Sequence, residues 1–190
     1  MLKRLIGILA FALFALPVSS AWADPCSDTA NLFRKAGQSG QFFKTAYGYA
    51  VFPTIGKGGV GIGGAYGKGC VYAKGKYVGD TSMTQLSIGF QLGGQGYSEI
   101  IFFQDERSYK EFTSGNFEFG AQATAVAITA GASAQASTAG GVGTSASTND
   151  EHAKNTGGYQ KGMAVFTVAK GGLMYEATIG GQKFGYKPKK

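Results

Sequence analysis

Histidine and tryptophan occur once each, cysteine twice and proline four times in 190 residues. Each scarcity removes a class of chemistry. The lone His152 has no second histidine to share a metal, and no CxxC or HExxH spacing occurs, so no zinc or other metal site is expected. A GxSxG elbow and an SxxK pair are missing too. Two carboxylates, Glu99 and Glu176, stand in apolar surroundings, but their spacing marks no acid–base couple. Glu99, beside Ile100, Ile101 and Phe102, is expected in an ion pair with a sheet lysine or at a rim, with catalysis the lesser alternative. The expectation is a protein that is not an enzyme and carries no cofactor. Long apolar runs are also scarce: the one from Leu5 to Leu16 is about a dozen residues, short of the roughly 20 that span a bilayer.

That run follows Lys3 and Arg4 and ends near Ala21, Trp22 and Ala23, which reads as a signal peptide over residues 1–23. Residues 24–190 then form a single exported domain, expected in the periplasm and peripheral to a membrane. Cys26 and Cys70 would meet an oxidising compartment, which permits a disulfide. Two separate thiols remain the alternative. Charge is unevenly placed. Asp24 to Gly79 holds seven basic and two acidic residues, Asp80 to Thr148 two and six, and Asn149 to Lys190 seven and three. Basic ends around an acidic middle suit a phosphate-bearing surface, and export favours lipid over nucleic acid.

Residues 27–44, SDTANLFRKAGQSGQFFK, bring Leu32, Ala36, Gly40 and Phe43 to helical spacing, predicting one amphipathic helix that Gly37 and Gly40 weaken. Either it covers a sheet or it lies on a membrane surface. Period-two segments follow: GYAVFP, GGVGIGGAYG, CVYAKGKYVG, TQLSIGFQLGG, SEIIFFQ, an alanine row from Phe119 to Ile128, MAVFTVAKGGLMYEATIGG and KFGYKP. They predict strands joined by close turns. DERSYKEF, Asp105 to Phe112, predicts one short helix. Residues 132–158 have almost no large apolar side chain and read as a mobile Ala/Ser/Thr/Gly loop. The fold class expected is α+β, mostly β: strongly curved antiparallel sheet, either open or barrel-like, with an N-terminal helix and one short helix packed on it.

The stretch GKGGVGIGGAYGKG contains the spelling GxGxxG at Gly59, Gly61 and Gly64, yet strand-like residues follow it where a dinucleotide fingerprint opens a helix. Laid on one strand, it puts Val60, Ile62, Gly64 and Tyr66 on one face and Gly59, Gly61, Gly63, Ala65 and Gly67 on the other. Such a bare face serves close packing or strong curvature, or leaves a slot for an acyl chain. Lys-Gly pairs recur at Lys57, Lys68, Lys74, Lys161 and Lys170, near predicted strand ends. An up-and-down chain would set Lys57 and Lys74 at one end of the sheet and Lys68 at the other. Such lysines either form an anion-facing edge or merely solubilise turns.

The blocks AYGYAVFP, KGGVGIGGAYGKGCVY, TQLSIGFQLGGQGYSEIIFF, SYKEFTSGNFEFGAQATAVA and GGLMYEATIGGQKF resemble the SYLF lipid-binding domain family, also called Ysc84-like. The resemblance implies a domain for phosphorylated, acidic lipids, whose eukaryotic members also bind actin and use a basic helix at the domain's start. Asp28 to Lys44 is the positional counterpart of that helix. An exported bacterial-type member would meet anionic phospholipids rather than actin. The cations expected to bind them are Arg34, Lys35, Lys44, Lys57, Lys68, Lys74, Lys76 and Lys170. The other reading is an envelope structural or interaction protein that engages a protein partner through β edges or the Ala/Ser/Thr loop.

Overall fold

The computed structural model describes residues 24–60, 62–88, 95–121, 123–128, 158–170 and 177–190. The expected leader, the body of the Ala/Ser/Thr loop, His152 and Glu176 lie outside them. Three short helices open the chain: α1 (Pro25–Lys35), α2 (Gly37–Gly40) and α3 (Phe42–Thr45). Asp24 caps α1, its side chain accepting from the Cys26 amide at 3.1 Å. One continuous helix was expected, but Ala36 is extended at ψ 125° and breaks it beside Gly37. The buried stripe differs as well. Cys26, Ala30, Phe33 and Phe42 face the sheet, while Leu32 is exposed.

Nine strands follow among the described residues: β1 (Gly48–Val60), β2 (Ile62–Ala73), β3 (Lys76–Ile88), β4 (Gln95–Phe103), β5 (Phe117–Glu118), β6 (Thr124–Ile128), β7 (Met163–Lys170), β8 (Ala177–Thr178) and β9 (Lys183–Pro188). They form one sheet in the order β5-β9-β3-β2-β1-β4-β7-β6-β8, curled into a half-barrel. Helix α4 (Glu106–Phe112) lies between β4 and β5 and starts on a capping box in which Asp105 and Ser108 exchange hydrogen bonds. The predominance of strands and the strong curvature agree with the sequence. The sheet is mixed, however, because β6 and β7 run parallel.

Both faces of the sheet are packed. Inside the curl lie Phe52, Ile55, Met83, Ile101, Phe103, Phe112, Ile179 and Phe184. On the other face Cys26, Phe33 and Phe42 cover Val51, Ile100, Phe102, Phe166 and Val168. Cys26 and Cys70 are joined, fastening α1 to β2 across 44 positions.

The glycine-rich stretch is a hairpin and not one strand, since Val60 pairs with Ile62 and Gly58 with Gly64. Along β2 the alternation holds: Ala65, Gly67 and Gly69 are buried while Tyr66 and Lys68 are exposed. A register shift in β1 between Val51 and Thr54 seats Phe52 and Ile55 over this row. A Cβ on Gly67 would lie 2.6 Å from Ile55 Cγ1, and one on Gly69 would lie 2.5 Å from the Val51 carbonyl oxygen and 2.8 Å from Phe52 Cδ1. Here the bare face meets protein.

Gly69→Ala is expected to lower stability by about 1–3 kcal/mol through overpacking, and Gly58→Ala, with nothing within 4 Å, to leave it unchanged or slightly raised. Urea unfolding of both variants checks this. Replacing Cys26 and Cys70 together by serine is expected to cost about 4 kcal/mol in the same measurement, the entropy of opening a loop of this length.

Candidate functional site

The β2–β3 turn is formed by Lys74 at φ 50° and Gly75 at φ 76°. It brings Tyr72 opposite Tyr77, while the β1–β2 register sets Tyr49 opposite Tyr72. The rings continue one another: Tyr49 stacks on Tyr72 with centroids 4.9 Å apart, and Tyr72 meets Tyr77 edge-on at 5.9 Å. At the helix side Phe43 packs edge-on against Tyr49 at 5.1 Å. A cation closes each end of this row. The Arg34 guanidinium lies 4.5 Å from the Phe43 centroid, and Lys189 Nζ lies 5.6 Å from that of Tyr77. Beside the row, Lys74 Nζ sits 5.2 Å from the Tyr47 centroid.

The ladder combines ring faces with cations, and its phenols stay protonated. Burial raises the Tyr49 pKa, with Arg34 opposing. Burial and then Asp24 push Tyr72 up to about 12. Tyr77 is raised chiefly by donating its hydroxyl to Asp80 Oδ1 at 2.6 Å. Two carboxylates adjoin the ladder, but Asp80 stands opposite Lys187 in the β3–β9 register. Lys35, Lys76 and Lys190 are exposed nearby in sequence. Half-buried tyrosines with flanking cations are suited to a membrane interface, where ring bodies sit at head-group level and cations meet phosphate.

Of the cations named from the sequence, Arg34, Lys35, Lys44, Lys74 and Lys76 belong to the helix segment and to this end of the sheet. The others do not join them. Lys57 pairs with Ala65 near the β1–β2 hairpin, so Lys57 and Lys74 lie towards opposite ends of β2, against the expectation that they share one. Lys68 is within β2 and pairs with Thr54 and Ser82. Lys170 donates to Thr54 Oγ1 at 2.8 Å. Sequence reasoning missed the tyrosines and Lys189. Their signal was the placing of Tyr72 and Tyr77 either side of a Lys-Gly turn.

The cysteine sulfurs lie near a carboxylate oxygen of Asp24, but their mutual bond withdraws them from metal ligation. Glu99 corrects a second expectation. It is fully buried inside the curl, away from any rim, and its hydrogen-bond partner is Gln182, not a lysine. A cavity of about 410 Å³ opens between β5, β6 and β7, walled by Phe117, Phe119, Ala123, Met163, Val165 and Ile179. Glu111, Glu118, Gln160 and Lys161 line it too, and the bare glycine row does not.

A family model described as "Las17-binding protein actin regulator", Ysc84, matches residues 84–186, more than half of the chain. The chain belongs to the Ysc84 (SYLF) family. This is a family of binding domains, linked to lipid and actin binding and not known for catalysis. The chain is also similar to Beta cell expansion factor A of Aeromonas veronii, at 28% identity over 164 residues, 83% of this chain and 53% of the relative. It thus spans about half the length of that curated relative. The family match begins near the end of β3, so Arg34 and the tyrosines of the ladder precede it.

Proposed function

We propose that this protein is an exported, non-enzymatic module that binds anionic phospholipid surfaces through the ladder from Arg34 to Lys189. The observation carrying this reading is the unbroken row of Phe43, Tyr49, Tyr72 and Tyr77 with a cation over each end. Electrostatic attraction to phosphate brings the cations to the head groups, and the rings then occupy the interfacial layer. The leader-like start and the disulfide favour a compartment outside the cytosol, where phosphatidylglycerol, cardiolipin or lipid A phosphates are the available anions and actin is not.

A protein partner engaged through the sheet edges has less support. Among the described residues the outermost strands, β5 and β8, are two residues each and give little template for an added strand. That reading therefore falls on the Ala/Ser/Thr loop.

Cosedimentation with vesicles containing phosphatidylglycerol is expected to succeed at low salt and to weaken as salt rises. Arg34→Ala, Lys74→Ala and Lys189→Ala should each reduce affinity about fivefold, corresponding to about 1 kcal/mol per cation. Lys57→Ala should leave it unchanged. Absence of binding at low salt, or binding indifferent to salt, overturns the mechanism.

A further inference from the structure

Among the described residues Glu99 is the fully buried side chain able to carry a charge, and the surface site does not use it. It projects from β4 into the curl between Phe52 of β1 and Thr167 of β7, its neighbours in register. Its exposure is 0%, as is that of Thr167 and of Gln182 from the turn before β9. Gln182 Nε2 donates to Glu99 Oε2 at 3.1 Å and to the Tyr97 hydroxyl oxygen at 3.2 Å. Three atoms of this group have no hydrogen-bond partner among the described residues: Glu99 Oε1, Gln182 Oε1 and Thr167 Oγ1. None of the three ion pairs among the described residues touches it; they join Arg107 with Glu111, Lys110 with Glu106 and Lys183 with Glu118.

The Glu99–Gln182 bond also spans the molecule. In the sheet order β9 and β4 are separated by β3, β2 and β1, so a bond between β4 and the residue preceding β9 crosses the inside of the curl. The far side is anchored in turn. Gln85 of β3 donates to the Gly180 carbonyl at 2.9 Å, and the Gln182 carbonyl accepts from the Phe119 amide at 3.0 Å.

A carboxylate sealed here without a cation has lost its hydration and gained one amide hydrogen bond in exchange. A carboxylic acid fits better. Its hydroxyl adds a donor beside Gln182 Oε1, the one unpaired atom of the group that can only accept, whereas Thr167 and Tyr97 carry hydroxyl protons of their own. We propose that Glu99 is a proton lock: its carboxyl holds a proton in the folded half-barrel, and losing that proton loosens the tie between the two sides of the curl.

The groups facing it from each packed element are consistent with this. Tyr97 on its own strand is the titratable one, and it is an acid whose phenol is itself raised by burial and by Glu99. Phe52, Thr167 and Gln182 bring no charge. Burial pushes the Glu99 pKa up to about 8 from 4.5, the Gln182 hydrogen bond opposing. The folded state therefore keeps a proton that the unfolded chain has released. The stability this contributes is fully present below about pH 4.5 and is lost as pH rises towards 8. The lock does not rest on the lipid reading.

The test is urea unfolding of the disulfide-intact chain, residues 24–190, between about pH 5 and 9. For the unmodified chain the folding equilibrium constant is expected to fall by on the order of 10³-fold more than for Glu99→Gln. The amide of that variant keeps a donor and carries no charge, so above pH 8 it should be the more stable protein. Identical pH profiles for the two overturn the proposal. Should Glu99→Gln fail to fold, isotope-edited infrared spectroscopy of the unmodified chain decides instead. A protonated glutamic acid carbonyl stretch at pH 6 that disappears with a midpoint near 8 supports the lock. Its absence at pH 6 overturns it.

Discussion

The seating of Phe52 and Ile55 on the side-chain-free row of β2 is the contact on which the rest of this architecture depends. In a flat antiparallel pair the side chains of neighbouring strands stand side by side, and a phenyl ring has no way to lie down over the next strand. Gly67 and Gly69 remove that obstacle, and the register shift in β1 turns Phe52 and Ile55 towards the space they leave. Glycine in a strand costs conformational entropy and offers nothing to bury. The cost is offset because two large side chains become fully buried inside the curl. Curvature, the inner core and the separation of two packed faces all follow from that exchange.

The same curvature places the tyrosines. Tyr49 and Tyr72 share the helix-covered face with Val51 and Cys70, at the end of the sheet where α1 and α3 lie. Phe42 is buried beneath that cover, against Phe102 and Phe166. Phe43, its neighbour, instead lies partly exposed and carries Arg34. The break at Ala36 makes this possible, because α3 can then meet the sheet at an angle that a continuous helix would not allow. A second irregularity, the shift in register between Val71 and Tyr72, brings Tyr77 opposite Tyr72 on β3. Two local departures from regular geometry thus produce one continuous row of rings.

These departures mark where the sequence could be read and where it could not. Strand-forming periodicity located β1 to β4, β7 and β9, because Val, Ile, Tyr and Phe alternate there with small or polar residues. The acidic start at Asp105 located α4. Hairpins formed over Lys74–Gly75 could be read from glycine's tolerance of positive φ. The glycine stretch could not, since alternation alone cannot distinguish one long strand from two that fold back and keep the same parity. Nor could the parallel pairing of β6 with β7, which depends on contacts between segments far apart in the chain. Glu99 looked like a rim or paired residue because its surroundings in sequence do not include Gln182, 83 positions away. The basic residues were legible as a set, but their division between the two ends depended on strand direction and register.

The placing of Glu99 bears on one candidate acid or base among the described residues. A general acid or base must come within hydrogen-bond reach of a substrate proton. Glu99 has the raised pKa that such a group would need, but it is sealed among Phe52, Thr167 and Gln182 with no exposed surface. Its energy is directed inward, to the two sides of the curl. In the ladder the groups that reach solvent are guanidinium, ammonium and phenol over aromatic faces, with Asp24 and Asp80 beside them. Cations whose hydration is partly replaced by ring faces attract phosphate over a distance set by ionic strength, and the rings give that attraction an apolar layer to settle into. On the function proposed above, such a surface would recognise a charged interface as a whole. On that reading its specificity is for charge density and interfacial depth, with the half-barrel behind it limiting how deeply the rings can enter.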